Sequence, residues 1–157
     1  MADYEFSFGT KKEDKKPIMV IYGPAGVGKS SLASQAEDAV FLPTEDGAGE
    51  LTLKTLKQGI FESYDEIMSA LRYLYAHPND YQTDVLDTID HLEPLIWKHV
   101  CAKNNWESIE QPGYGRGYIE CDKAWFDLIS ALILIRDKRN KTIVLLAHEL
   151  VRTVNDP

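Results

Sequence analysis

Gly23-Pro24-Ala25-Gly26-Val27-Gly28-Lys29-Ser30 is the stretch on which the fold turns. It satisfies the pattern G-x-x-x-x-G-K-[ST]. In that pattern glycines let the backbone curl and aim its N–H groups at phosphates, a lysine meets the outer phosphates, and a hydroxyl meets Mg²⁺. The apolar run from Pro17 to Tyr22 reads as a strand directly before it, and a helical pattern opens near Lys29. Strand, loop and helix in that order are the context a phosphate-binding loop requires, and the alternative is a glycine-rich turn between two elements. The loop, extended by Ser31, therefore predicts a site for a nucleoside triphosphate, with ATP and Mg²⁺ the expected pair. Lys29 supplies a point charge near the transferred phosphate, and Ser30 is placed as a metal ligand.

Working outward, Ala39 to Pro43 reads as a second strand ending in the polar turn Thr44-Glu45-Asp46-Gly47. Ser63-Tyr64-Asp65-Glu66 has the spacing of a capping box, opening a helix with Ile67, Leu71, Leu74 and Tyr75 on one face. Asp84 to Asp87 is a short strand, followed by Leu92, Leu95, Ile96, His99 and Val100 at helical spacing. Asn104 to Gly117 reads as a glycine-rich polar loop. A helix is expected from about Asp122 to Arg136, with Leu128 to Ile135 buried, and a strand from Thr142 to Ala147. Strands alternating with helices predict an α/β fold, its mainly parallel sheet covered on both faces.

Composition narrows the partners. The chain has 157 residues, 17 basic against 25 acidic, for a net charge of -8, so its overall field repels nucleic acid and any DNA contact must be local. Cys101 and Cys121 lack metal-ligand spacing and no signal peptide is visible, which favours reduced thiols and a cytoplasmic setting. No apolar run reaches the roughly 18 residues needed to span a bilayer. Residues 1–16 read as a polar arm and residues 17–157 as one domain.

A phosphate site of this kind needs an acid at another strand end to hold Mg²⁺, and Asp87 is the best placed, with Asp90 a competitor and a helix N-cap the bland alternative. Many such ATPases carry a glutamate directly after that acid to activate water, but Thr88 occupies the place here. Glu45, at the end of the second strand, is the substitute, unless it is only a surface acid in a turn. His148, emerging from Leu145-Leu146-Ala147, is placed to sense the γ-phosphate, unless its role is structural.

Taken in order, Gly23 to Ser30, Phe41 to Gly47, Asp84 to Asp87, Gly113-Tyr114-Gly115-Arg116-Gly117-Tyr118 and Ala147-His148-Glu149 resemble the AAA-domain ATP-binding proteins of bacteriophages. These are RecA-like ATPases, some of which assist single-strand annealing and recombination. The resemblance implies a three-layer P-loop NTPase fold with sheet order 5-1-4-3-2. It implies that Glu45 activates water and that the Thr142 to Ala147 strand brings His148 near the γ-phosphate. It further implies a homo-oligomer, and strands beyond Pro157, so that the domain is read as lacking its C-terminal strands. Loops after the third and fourth strands would face single-stranded DNA, which points to Asn104 to Tyr118 and to the tail after His148. Trp106, Tyr114, Arg116 and Tyr118 suit base stacking beside a cation, although Glu107, Glu110 and Glu120 stand against it. Arg116 has a second possible role, reaching a neighbouring subunit's nucleotide. The expected function is Mg²⁺-dependent ATP hydrolysis in DNA recombination or single-strand annealing. The alternatives are a nucleotide-dependent switch or assembly protein with little turnover and a P-loop kinase of small molecules.

Overall fold

The computed structural model describes residues 7–9, 14–47, 49, 51–77 and 80–149. Much of the polar arm and all but the first residue of the tail after His148 lie outside these. The elements are β1 (Ile18–Gly23), α1 (Lys29–Ala33), β2 (Ala39–Pro43), α2 (Tyr64–Ala76), β3 (Thr83–Asp87), α3 (Ile89–Asn104), α4 (Arg116–Arg139) and β4 (Thr142–His148). The four strands pair in parallel in the order β1-β4-β3-β2, which is the predicted order without a fifth strand among the described residues. This is the α/β core of a P-loop NTPase.

Alternation along the strands sorts the core. Leu42, Leu86, Ile143 and Leu145 face α2, α3 and α4 in the larger cluster, while Phe41, Val85, Val144 and Leu146 face α1's Ala33 in the smaller. That period of two is what a sheet buried on both faces demands. Coverage is incomplete at the β1 edge, where Met19, Val20 and Tyr22 are exposed. The capping box forms much as expected. Ser63 Oγ accepts from the Glu66 amide at 3.2 Å, and the Glu66 carboxylate accepts from the Glu62 amide at 2.9 Å.

Two expectations are corrected. The fourth helix starts at Arg116, inside the predicted loop, because Gly117 permits close packing: a Cβ there would lie 1.8 Å from the Ile109 carbonyl oxygen. The glycine serves helix packing rather than loop freedom. The run Leu128 to Ile135 is amphipathic rather than buried throughout. Leu128, Leu132 and Ile135 enter the core, but Ile129, Ile133 and Leu134 are exposed because α2 and α3 cover one face only.

At the amino ends of the strands, Lys141 Nζ meets Asp84 Oδ1 at 3.4 Å with both side chains almost fully buried. Burial pushes the Asp84 carboxyl upward, and Lys141 opposes that. Removing one member strands a buried charge, so Lys141→Met is expected to cost about 3–5 kcal/mol in urea unfolding. A variant as stable as the parent would show the pair to be dispensable.

Candidate functional site

Because all strands run the same way, their carboxyl ends meet at one edge of the sheet: Gly23 pairs with His148, and Pro43 with Asp87. In open parallel sheets such an edge is where ligands gather. Here a cleft of about 320 Å³ is lined by Ala25, Gly26, Gly28, Lys29, Ser30, Ser31, Glu45, Gly47, Leu51, Asp87 and His148. Residues read from four separate stretches of sequence thus share one cavity.

The loop's geometry follows from its glycines. Gly26 and Gly28 adopt φ of 76° and 95°, left-handed backbone that side chains resist, and both leave open space where a Cβ would be. Lys29, 7% exposed, donates from Nζ to the Gly23 and Pro24 carbonyls at 3.0 Å each. Gly23 and Pro24 therefore contribute backbone oxygens rather than cleft lining, and the Val27 side chain is exposed.

Ser30 Oγ donates to Asp87 Oδ2 at 2.7 Å. Asp87 is buried, and burial raises its carboxyl above the usual range. The Ser30 hydroxyl opposes this, Glu45 adds to it, and His148 and Lys29 counter it. A serine hydroxyl and a buried carboxylate side by side are hard oxygen donors of the kind Mg²⁺ takes alongside phosphate oxygens and water. The expected metal residues fit that ion. Asp90, the competitor, is engaged elsewhere. Its Oδ1 accepts from the His148 amide at 2.9 Å and its Oδ2 meets His148 Nδ1 at 2.8 Å. Burial raises the Asp90 carboxyl, but these bonds outweigh it and hold the group below its ordinary range.

Glu45 is positioned by the residue before it. The Thr44 amide donates to the Asp87 carbonyl at 2.6 Å, and Thr44 Oγ1 accepts from the Thr88 amide at 2.7 Å while donating to the Thr88 carbonyl at 2.6 Å. These bonds tie the end of β2 to the end of β3, across a cis Asp87-Thr88 peptide. Glu45 then lies with Oε1 3.7 Å from His148 Nε2 and Oε2 3.2 Å from His91 Nδ1.

His91 was not anticipated from sequence. It stands on the first turn of α3 among residues chosen for their apolar spacing, and its partners Glu45 and Thr88 arrive from outside that helix. The only signal was its place four residues after Asp87, on the same strand-to-helix junction.

The stacking candidates do not join the cleft. Tyr114 is almost fully exposed at φ 50°. Tyr118 donates to Glu110 at 3.0 Å and meets Trp97 edge-on at 5.7 Å between centroids. Trp106 and Arg116 line a separate cavity of about 250 Å³ with Pro112, Ile119 and Glu120.

A family model described as an AAA domain matches residues 15–157, nearly the entire chain. The chain belongs to this AAA-domain family. Membership makes it a nucleotide-binding protein of the P-loop ATPase type, in agreement with the glycine-rich loop and the parallel sheet. A search of curated proteins found no match. Among the described residues, no helix of this AAA-domain protein is long and apolar enough to cross a membrane.

Proposed function

We propose that this AAA-domain protein hydrolyses ATP with Mg²⁺ in the cleft at the strand ends and couples that reaction to single-stranded DNA. The observation that carries the reading is the meeting of Lys29, Ser30, Asp87, Glu45 and His148 around one cavity. The amides from Ala25 to Ser31 would cradle the phosphates, and Lys29 would exchange the Gly23 and Pro24 carbonyls for phosphate oxygens. Ser30 and Asp87 would hold Mg²⁺, which supplies charge neutralisation on the outer phosphates. Glu45 would accept the proton of the attacking water at its carboxylate, from a position fixed by the Thr44 bonds. His148, held through Nδ1 by Asp90, would present Nε2 toward the γ-phosphate.

The DNA half rests on the resemblance to bacteriophage recombination ATPases, on the cavity lined by Trp106 and Arg116, and on the exposure of Tyr114. It implies a cytoplasmic homo-oligomer in which residues 17–157 act as one ATPase unit, preceded by the polar arm of residues 1–16. The test is steady-state phosphate release with and without single-stranded DNA. Stimulation by DNA supports the reading. ATP binding without turnover would mark a switch protein, and transfer of phosphate to a metabolite would mark a kinase; either would overturn it.

Arg116→Ala is expected to weaken single-stranded DNA affinity by roughly tenfold, the scale of one stacking or cationic contact. Fluorescence anisotropy with a labelled oligonucleotide checks this, and unchanged affinity together with unchanged DNA stimulation would return the residue to a packing role.

A further inference from the structure

We propose that Glu45, His91 and His148 form a binding site for one first-row transition-metal ion of the Zn²⁺ type, separate from the Mg²⁺ pair Ser30 and Asp87. One ligand atom from each of the three residues lies within 4.8 Å of the others. Glu45 Oε2 is 3.2 Å from His91 Nδ1, and Glu45 Oε1 is 3.7 Å from His148 Nε2. Zinc bonds of ~2.0–2.2 Å place tetrahedral ligand atoms roughly 3.3–3.6 Å apart; the two Glu45 contacts, each through a different carboxylate oxygen, bracket that range, and the full set of three lies within 4.8 Å. Small side-chain rotations would complete it.

The surroundings supply what a zinc-binding histidine needs. The Asp90 carboxylate meets His148 Nδ1 at 2.8 Å, which fixes the proton on that nitrogen and leaves the Nε2 lone pair directed at the cluster. Asp90 also lies 3.6 Å from His91 Nδ1, adding negative charge beside the cation, and zinc would take that nitrogen with its proton released or shifted to Nε2. The Thr88 hydroxyl touches the same His91 nitrogen at 3.0 Å and can rotate away when metal takes its place. Three protein ligands leave a fourth position open toward the cleft. Two imidazoles and one carboxylate favour zinc, whereas Mg²⁺ requires an oxygen shell, so the two ions sort by chemistry between neighbouring sites.

On the reading of Glu45 as the residue that activates water, occupation of this site is inhibitory. Zinc takes the Glu45 carboxylate and the His148 nitrogen out of the reaction and leaves Lys29, Ser30 and Asp87 free to hold nucleotide. Trapping of a nucleotide-bound, non-hydrolysing state is the consequence.

Isothermal titration of the full chain with Zn²⁺ alone, without nucleotide or chelator, tests the site. One ion per chain is expected, and Asp90→Asn, which removes the support of His148, should weaken binding about 10–100-fold. His91→Ala, a truncation at a half-exposed position, should weaken it at least as much, with far-ultraviolet circular dichroism confirming the fold of both variants. Equal affinity in parent and His91→Ala, as zinc on Cys101 or Cys121 would give, overturns the site. So does the absence of stoichiometric binding. In the turnover arm, the ratio of rates with and without zinc should fall well below one for the parent and stay near one for His91→Ala. If zinc binds as expected but the chain never hydrolyses ATP, the metal site stands and the catalytic reading of Glu45 falls.

Discussion

Lys29→Ala is expected to weaken ATP binding by at least ~100-fold, because two charge-assisted contacts of roughly 1.5–3 kcal/mol each are removed. The ammonium is nearly buried and already donates to two backbone carbonyls at 3.0 Å, so it is held at the loop rather than waving in solvent. Substitution by alanine also leaves those carbonyls without that donor, and Lys29→Met, which keeps the apolar stem, separates loss of charge from loss of loop shape. Calorimetric titration with ATP and Mg²⁺ reads the effect. Undiminished affinity in both variants would place the nucleotide elsewhere.

Glu45→Gln is expected to leave ATP affinity within a few-fold of the parent while lowering turnover by roughly 10²–10⁴, the usual contribution of a positioned general base. The substitution is nearly isosteric, so the Thr44 bonds that fix the end of β2 remain. Glutamine cannot accept a proton from water at neutral pH, and that single difference is what the rate reports. Turnover close to the parent's would move the basic role to another cleft residue, with Asp87 the next candidate.

What could be read from the sequence divides along the range of the forces involved. The phosphate loop was legible because its function is carried by local backbone: Gly26 and Gly28 take conformations that glycine alone adopts easily. The α2 capping box was legible for the same reason, its partners lying three or four residues apart. Strand order followed from the family resemblance rather than from periodicity, which in a short strand such as Thr83–Asp87 offers only two apolar residues.

The start of α4 was hidden because Gly117 looks like a loop residue until the Ile109 carbonyl is seen against it. Exposure of Ile129, Ile133 and Leu134 was hidden because hydrophobicity records what a face can bury, not whether a neighbour covers it. Within the cleft, Glu45, Asp87 and His148 were found as polar residues ending apolar strands. His91 and the second role of Asp90 were not, since both depend on contacts made across the cleft after folding. Such contacts leave no spacing in the chain.

Whether this cleft transfers the γ-phosphate of ATP to water is decided by a single-turnover reaction. Protein in excess over γ-labelled ATP with Mg²⁺ is quenched over time, and the label is resolved. Label should appear as free phosphate in the parent chain, with ADP in equal amount, and Glu45→Gln should retain bound, intact ATP. Label that remains in ATP in the parent, or that appears on any acceptor other than water, would contradict hydrolysis in this cleft.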